Sequence, residues 1–348
     1  MEIGTGTSPP VRDASDAAAV AEAARLLRDG GLVAFPTETV YGLGADALAA
    51  NAVARIFAAK GRPASNPLIV HVADVAAARE LAREWPAVAE TLAARFWPGP
   101  LTLVVPKAGV VPDIVTAGGA TVGLRVPSHP VALALLRAAG VPVAAPSANR
   151  SEEVSPTTAA HVAESLRGAR VDLILDAGPT EIGLESTVVD CTVSPPRLLR
   201  PGLVTAAMLH AALGQIAGDR AVEVEEERPP QGPARSPGLR KRHYAPRVPL
   251  VVVPPGAAKD ALRDGDAFLA RKASATPGTV RVLRMPLDAA GYAARLYAAL
   301  REMDRAAGVT RIVVEEPPQN DAWAAVHDRL RRAGAPAGGD GNDDGRGR

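Results

Sequence analysis

Four cationic side chains have sequence neighbours that suggest a role in binding an anion. Lys60 and Arg62 flank a glycine ahead of a proline-fixed turn, so both heads could converge on one anion. A solvated helix end with two cations is the alternative. Arg125 and Arg200 lie within or at the end of otherwise apolar stretches, where a guanidinium needs a carboxylate or a ligand as partner. Together the four cations favour a pocket for a polyanionic or zwitterionic ligand.

Hydroxyl and amide side chains cluster in the segment AAPSANRSEEVSPTT (144–158), which begins as a predicted strand of small residues. Ser147 and Asn149 follow that strand, where they could bind a ligand or stabilise a turn. Ser155-Pro156 is expected to open the next helix, whose free backbone N–H groups could receive a phosphate. The alternative role of Ser155 is to cap that helix.

A third polar segment, FPTETVYGLGAD (35–46), places Thr37, Glu38 and Thr39 ahead of a predicted glycine-containing bend. A turn with capping hydroxyls is the simpler interpretation. His71 lies inside an apolar strand, where a histidine is either a satisfied core residue or a site residue. Taken alone, neither segment distinguishes a structural role from a functional one.

The common sequence templates for nucleotide, metal and acyl chemistry are absent. The chain has no GxxxxGK[ST] phosphate loop, no GxGxxG turn, no HExxH helix and no GxSxG elbow. Its six histidines are scattered without ligand spacing. A serine hydrolase that uses Ser147 with Lys60 is disfavoured, because no triad or oxyanion context surrounds them. Any phosphate-binding device must therefore be of another kind.

Composition excludes several classes of protein. Lys and Arg total 39 and Asp and Glu total 38, so overall charge gives no argument for a nucleic-acid binder. Cys191 is the one cysteine, which rules out an intramolecular disulfide and a cysteine-based metal cage. No secretory signal and no apolar stretch long enough to span a membrane is present, so the expected location is the cytoplasm.

The element pattern predicts an α/β protein with two domains, since 348 residues exceed a typical single core. The first domain, residues 13–215, follows a flexible N-terminus (1–12), and irregular strand spacing favours a twisted mixed sheet. Its predicted strands are 32–36, 68–72, 101–105, 121–126, 141–145, 171–175 and 187–190. Its predicted helices are 16–28, 51–59, 74–83, 86–95, 130–139 and 156–167.

The break between the domains lies in a Pro- and Arg-rich linker (216–248). Its stretch RPPQGPARSPGLRKRHYAPR (228–247) holds five prolines and six cations without an acid, a composition that is typical of a linker. The second domain, residues 249–334, is predicted to be smaller, doubly wound and Rossmann-like, and residues 335–348 form a disordered tail. Its predicted strands are 249–253, 281–285 and 311–315. Its predicted helices lie near 257–264 and at 289–307 and 321–332.

Together these segments resemble the YrdC-type threonylcarbamoyl-adenylate synthases, in their longer two-domain form. The resemblance extends from about Asp13 to Gly334 and rests on motifs that occur in the family's order. The motifs are FPTETVYGLGA, KGRP..NPL.VHV, FWPGPLTLV, PSAN, SPTTA.HV, GLEST.VD, LRPG and HYAP. The second domain matches by layout more than by motif.

The resemblance implies a role for each matching site residue. The family's catalytic KxR and SxN constellation corresponds to Lys60, Arg62, Ser147 and Asn149. Positions that contact ATP correspond to Arg62, Asn66, Thr121, Ser147, Ser155, Arg200 and Tyr244, the last of which closes over the nucleotide from the linker. Positions around L-threonine correspond to Thr39, His71, Arg125, Ala145 and Ser186.

The activity implied by the resemblance is the condensation of L-threonine, bicarbonate and ATP into threonylcarbamoyl-AMP, pyrophosphate and water. Magnesium is expected to accompany ATP. The product would supply a downstream tRNA threonylcarbamoyl transferase complex that modifies tRNA next to the anticodon, and weak contact with tRNA or RNA is a further expectation. A lid formed by the linker would exclude water from the labile product.

Two points leave alternatives open. An RNA-binding module without catalysis, for double-stranded RNA or tRNA, would need an exposed basic face, whereas Arg125 and Arg200 lie in apolar strands.

The chain also departs from the family at Glu152-Glu153, where the family usually has Ser-Gly after PSANR or PSANK. Two carboxylates there would repel a triphosphate unless they face solvent or help to hold magnesium.

Overall fold

The computed structural model describes residues 8–214, 223–224, 242–272 and 281–336. Within these ranges the strands form an 11-stranded sheet and a separate four-stranded sheet. Most of the predicted linker, together with residues 1–7 and 337–348, lies outside the described residues. No helix in the described ranges has the length and apolarity to cross a membrane.

The larger sheet is mixed, as predicted. Its strands are β1 (Val11–Asp13), β2 (Val33–Phe35), β3 (Gly42–Asp46), β4 (Ile69–His71), β5 (Leu101–Pro106), β6 (Thr121–Arg125), β7 (Val143–Ala144), β8 (Leu173–Asp176), β9 (Thr187–Asp190), β10 (Arg197–Arg200) and β11 (Glu223–Val224). They lie in the order β1-β8-β2-β3-β7-β4-β6-β5-β9-β10-β11. Parallel and antiparallel neighbours occur side by side: β4 runs parallel to β6 but antiparallel to β7.

Two strands of this sheet differ from the sequence prediction. Residues predicted as a glycine-containing bend form β3, which pairs antiparallel with β2. Gly44 is required there, since a Cβ would lie 2.8 Å from side-chain atoms of both Phe35 and Val143. β1 pairs parallel with β8, so Val11 and Arg12 belong to a strand although they lie in the segment predicted to be flexible.

Helices cover both faces of the larger sheet. They are α1 (Ala17–Arg28), α2 (Ala50–Lys60), α3 (Val75–Glu80), α4 (Ala87–Phe96), α5 (Asp113–Thr116), α6 (Pro130–Ala139), α7 (Ala159–Ser165) and α8 (Ala206–Leu213). Alternate residues of β2 separate the two cores: Val33 and Phe35 pack with α1 and α6, whereas Ala34 packs on the opposite face. The prediction that Ser155-Pro156 opens a helix is wrong, because α7 begins at Ala159 and Thr158 caps it.

The second domain is a small sheet with all neighbouring strands parallel and helices on both faces. Its strands are β12 (Leu250–Val253), β13 (Asp266–Ala270), β14 (Arg281–Arg284) and β15 (Arg311–Glu315), in the order β12-β15-β13-β14. Its helices are α9 (Ala258–Ala261), α10 (Ala289–Arg305) and α11 (Ala324–Ala333), the last preceded by a 3-10 turn (Asp321–Trp323). Strand β13 was not predicted; Phe268 packs toward α9, and Leu269 packs toward α10 and α11.

Candidate functional site

A buried cavity of about 50 Å³ lies where the predicted site segments meet. Its lining comes from β4, β6, β10 and the loops around them, together with two residues that precede the second domain. The lining residues are Thr37, Thr39, Val40, Gly42, Arg62, Ile69, His71, Arg125, Ala145, Pro146, Ser147, Glu185, Ser186, Arg200, His243 and Tyr244. All five positions of the threonine set and four of the seven positions of the ATP set predicted from the sequence therefore share one cavity.

One side of the cavity is built on an ion pair between Glu38 and Arg125. The Arg125 Nη2 atom lies 2.7 Å from Glu38 Oε1, and both side chains are 4% exposed. Burial alone would raise the pKa of Glu38, but the adjacent guanidinium outweighs it and holds that pKa below its usual value. The strand arginine predicted to need an anion thus has a protein carboxylate as its partner. We call Glu38, Thr39, His71 and Arg125 the ion-pair side.

His71 faces Arg125 across the parallel pair β4 and β6, where the two residues are in register. Burial, and then the charge of Arg125, lower the pKa of His71 to about 3, so its ring is neutral near pH 7. Its Nδ1 atom has no hydrogen-bond partner within the described part of the chain. A buried polar atom of this kind on a cavity wall is suited to meet a ligand.

Threonine hydroxyls complete the ion-pair side. Thr39 Oγ1 accepts a hydrogen bond from Arg125 Nη1 over 3.0 Å and lies 2.8 Å from Thr37 Oγ1. Arg125 Nε donates to the backbone oxygen of Gly99 over 3.2 Å. These partners all belong to the larger-sheet domain, so that domain by itself fixes the guanidinium.

A second group of lining residues comprises Arg62 and Arg200, with Ser147, His243 and Tyr244; we call this set the cation side. Arg62 Nε donates to the Asn66 backbone oxygen over 3.2 Å, and its Nη2 donates to the Pro67 oxygen over 2.8 Å. These bonds hold the guanidinium in the turn that follows α2. They also show that Asn66 contributes a carbonyl to positioning Arg62, while its side chain is not part of the cavity lining.

Lys60 supports a loop instead of sharing an anion with Arg62 as the sequence suggested. Its Nζ atom donates to the backbone oxygen of Ser147 over 2.5 Å and also contacts that of Asn149. Burial, followed by the charge of Arg62, lowers the pKa of Lys60 well below its ordinary value. Lys60 is not one of the described residues that line the cavity. It lies behind the lining, where it fixes the loop that presents Ser147.

The loop 147–153 is further held by its own side chains. Asn149 Nδ2 donates to the Glu153 backbone oxygen over 2.8 Å, and its buried Oδ1 has no hydrogen-bond partner among the residues described. The side chain of Glu152 is exposed, which removes one carboxylate of the family departure from the cavity. The Glu152 backbone oxygen accepts a hydrogen bond from the Ala245 N–H over 2.9 Å, so this loop also holds the segment that contains Tyr244.

Arg200 is bound along the loop that precedes β9. Its Nε donates to the Ser186 backbone oxygen over 3.0 Å, and its Nη2 donates to Ser186 Oγ over 3.1 Å. Ser186 was predicted near L-threonine, and the structure places its hydroxyl directly on Arg200. Gly202 in the LRPG motif allows this close packing, because a Cβ would lie 2.4 Å from the Thr187 nitrogen.

His243 and Tyr244 form a wall of the cavity although they come from the end of the predicted linker. Both are buried, and Tyr244 has a φ of 59°, a strained conformation for a bulky residue. Burial, then the charges of Arg62, Lys60, Arg200 and Arg329, lower the pKa of His243 well below its usual value. The Tyr244 hydroxyl and His243 Nδ1 have no hydrogen-bond partner in the described ranges.

Two further predicted ATP positions lie away from the cavity lining. Thr121 is half-buried at the start of β6, where it pairs with Pro106. Ser155 is fully buried and donates to Glu185 Oε1 over 2.6 Å, so it caps no helix. Glu185, Thr37 and His243 line the cavity and Glu38 pairs with Arg125, but none of the four was assigned to the site from the sequence. All four stand in the motifs GLEST, FPTETV and HYAP, so their position in those motifs was the available signal.

Metal ligands are not grouped around this cavity. The described residues contain no set of three His, Cys, Asp or Glu side chains that could hold a metal ion. Among the described residues, the lining offers guanidinium, hydroxyl and imidazole groups and one carboxylate, that of Glu185, which is paired with Arg329. Mg²⁺ prefers several oxygen ligands, so this set suits anionic phosphates better than the magnesium ion itself.

Comparison with known proteins gives the family. A family profile described as Telomere recombination, covering the Sua5, YciO and YrdC group, matches residues 25–202. A second, described as Threonylcarbamoyl-AMP synthase, C-terminal domain, matches residues 204–335. The threonylcarbamoyl-AMP synthase of Pyrococcus abyssi is 45% identical over 321 residues, which cover 89% of this chain and 92% of the relative.

Two other similarities agree with this assignment. The threonylcarbamoyl-AMP synthase of Bacillus subtilis is 51% identical over 234 residues, 67% of this chain and 66% of the relative. The crystal structure of Pyrococcus abyssi Sua5 complexed with L-threonine superposes with a TM-score of 0.82 at 42% identity, covering 90% of this chain and 94% of that one. The chain belongs to the Sua5/YrdC family of threonylcarbamoyl-AMP synthases.

Proposed function

We propose that the cavity binds L-threonine on its ion-pair side and ATP on its cation side, and joins them through bicarbonate into threonylcarbamoyl-AMP. The observation that carries this proposal is the distribution of charge around one cavity: the lining residue Arg125 is paired with the buried carboxylate of Glu38, whereas Arg62 and Arg200 belong to the cation side, where the lining carboxylate of Glu185 is already paired with Arg329. A zwitterionic amino acid needs both signs of charge, whereas a triphosphate needs cations alone.

L-Threonine is assigned to the ion-pair side through Thr39, His71, Arg125 and Ala145. The guanidinium retains N–H donors for the substrate carboxylate, and the Glu38 carboxylate favours the substrate ammonium. Ser186, also predicted near L-threonine, contacts the cation side, since its hydroxyl accepts a hydrogen bond from Arg200. The Pyrococcus abyssi relative was solved in complex with L-threonine, which supports L-threonine as a ligand of this chain.

ATP is assigned to the cation side through Arg62, Ser147, Arg200 and Tyr244. Magnesium would arrive on the phosphate oxygens of ATP, because the described residues offer no protein cage for it. Lys60 and Asn149 act in this account through the loop that presents Ser147. Thr121, Asn66 and Ser155 would support the pocket from behind its lining.

The reaction makes modest demands on acid–base groups. Bicarbonate condenses with the threonine amine with loss of water, or carbon dioxide adds to the amine with release of a proton; an oxygen of the resulting N-carboxylate then attacks the α-phosphorus of ATP, and pyrophosphate leaves. The nucleophile of the second step is already an anion, so that step needs charge neutralisation and alignment. The low pKa of His71 makes its neutral ring a weak base, suited to hydrogen bonding with the substrate and not to removing a proton from the amine.

Entry of ATP requires the segment around Tyr244 to move. The cavity of about 50 Å³ holds one or two water molecules at ~30 Å³ each, whereas sites for nucleotide-sized ligands measure ~300–1,000 Å³. We therefore propose that the segment is a lid, as the linker composition suggested. Trypsin cleavage after Arg242 and Arg247 should slow when ATP and L-threonine are added together, and an unchanged rate would leave the segment a fixed wall.

The function is tested by omitting one substrate at a time. Pyrophosphate should form only when L-threonine, bicarbonate and Mg-ATP are all present. A methyl group is worth ~1–3 kcal/mol in such a pocket, so L-serine should react weakly. Equal release with L-serine, or release without any amino acid, would contradict the proposal.

Partners beyond the substrates remain predictions from the sequence. The labile product calls for a tRNA threonylcarbamoyl transferase complex that accepts it, and a cytoplasmic location would bring the two together. The RNA-binding alternative is disfavoured because Arg125 and Arg200 are buried in the cavity wall, where they cannot form an exposed basic face.

A further inference from the structure

Two buried side chains of the second domain reach the wall of the cavity. Tyr297 of α10 donates its hydroxyl to Glu185 Oε2 over 2.9 Å, and Arg329 of α11 donates its Nε to the same oxygen over 2.9 Å. Tyr297 is 0% exposed and Arg329 1% exposed. Because Glu185 lines the cavity, the second domain controls the orientation and charge of a group inside the proposed nucleotide site.

Arg329 also contacts the two neighbouring parts of the wall. Its Nη1 donates over 3.1 Å to the backbone oxygen of Pro201, the residue after Arg200. Its guanidinium carbon lies 5.2 Å from the centroid of the Tyr244 ring. Arg329 therefore joins three separate stretches of the chain: two in the larger-sheet domain, at Glu185 and Pro201, and the linker end at Tyr244.

Tyr297 also contacts the aromatic ring of Tyr244. The two rings stack with centroids 5.7 Å apart and an interplanar angle of 27°. Tyr244 has a positive φ, which persists in a non-glycine residue only when its surroundings fix it. The aromatic stack and the cation above the ring are the contacts that supply this constraint.

We propose that Tyr297 and Arg329 are positioning residues of the nucleotide site. They orient Tyr244 and neutralise Glu185, whose carboxylate would otherwise repel the phosphates drawn to Arg62 and Arg200. The proposal rests on the assignment of ATP to the cation side. It gives the second domain a defined part in the reaction, confined to one substrate: the partners of Arg125 all lie in the larger-sheet domain.

The test is steady-state kinetics on the full-length chain with Tyr297→Phe, which removes one hydroxyl and keeps the stacked ring. Loss of a hydrogen bond to a charged group should raise KM for ATP about tenfold, with KM for L-threonine within about twofold of wild type. Arg329→Met should raise KM for ATP further, and Arg329→Lys should recover part of that loss, because it restores the charge without the fork.

A matched control separates positioning from domain docking. Arg301 of α10 also crosses between the domains, donating to Ser165 Oγ over 2.8 Å, but it does not belong to the cavity lining of the described chain. Arg301→Met should lower the melting temperature and leave KM for ATP unchanged. If Tyr297→Phe behaves like Arg301→Met, or raises both KM values equally, the positioning role is overturned while the proposed function stands. If wild type shows no threonine-dependent pyrophosphate release, both proposals fall.

Discussion

The two sides of the cavity are built in different ways. The ion-pair side is formed within one sheet: His71 and Arg125 are in register on neighbouring strands, and Glu38 and Thr39 come from the loop before β3. The cation side is assembled from distant parts of the chain. Its Tyr244 lies at the end of the predicted linker and is held by Tyr297 and Arg329 of the second domain.

This difference predicts that one side of the cavity is rigid and the other adjustable. A site fixed by adjacent strands is preorganised, because strand register sets the distance between its groups. A site completed by a linker and a second domain can open and close, because each contact between these parts is weak and can break without the others. We therefore expect the amino acid to meet a rigid surface and the nucleotide to meet an adjustable one.

The largest expected effect comes from breaking the ion pair. Glu38→Ala or Arg125→Ala leaves an uncompensated buried charge, which should lower the free energy of unfolding by ~3–5 kcal/mol. The double variant should cost less than the sum of the two, since no lone charge remains. Urea denaturation of all four proteins measures this. Additive losses would show that the pair is screened by water and that this side is not rigid.

A smaller effect is expected from the neutral histidine. His71 has a pKa of about 3 when folded and ~6.5 when unfolded, so between these values the unfolded chain binds the extra proton. Stability should therefore fall as the pH is lowered from 6.5, by ~1.4 kcal/mol per unit for this residue, or about 3 kcal/mol at pH 4.5. His71→Gln should flatten the pH dependence by that amount in urea titrations. An unchanged slope would mean that His71 is charged in the folded protein.

The smallest effect concerns the hydroxyl of Tyr244. No protein partner for this hydroxyl is present in the described residues, so Tyr244→Phe should leave the free energy of unfolding unchanged. If the hydroxyl meets the nucleotide, the same change should weaken ATP binding by ~0.5–1.5 kcal/mol. Calorimetric titration with Mg-ATP measures the affinity. Lost stability with full affinity would place the hydroxyl in the fold and not in the site.

Much of the architecture could be predicted from the sequence, because local patterns determine it. Strands Thr187–Asp190 and Arg311–Glu315 and helix Pro130–Ala139 agree residue for residue with their predictions. The misses have physical causes. Strand β3 carries two glycines that suggest a bend, and only the packing of Gly44 against Phe35 and Val143 shows why a strand needs them.

The site was predictable where a charge stood in an apolar strand and unpredictable where a contact spans the chain. Arg125 and Arg200 were identified by the cost of burying them, and both line the cavity. Lys60 could not be placed, because its acceptors lie 87 and 89 residues away on a folded loop. The Glu185 contacts with Tyr297 and Arg329 span 112 and 144 residues, and no local pattern encodes them.

The central claim is that the two sides of the cavity bind different substrates. It is tested most directly by calorimetric titration of L-threonine and of Mg-ATP, separately, into wild type, Arg125→Lys and Arg200→Lys. Lysine keeps the charge but loses the bidentate fork, so each variant should weaken its own ligand by ~1.5–3 kcal/mol. The account predicts a crossed result: Arg125→Lys loses affinity for L-threonine alone, and Arg200→Lys loses affinity for ATP alone. Loss of the same ligand in both variants, with melting temperatures near that of wild type, would contradict it.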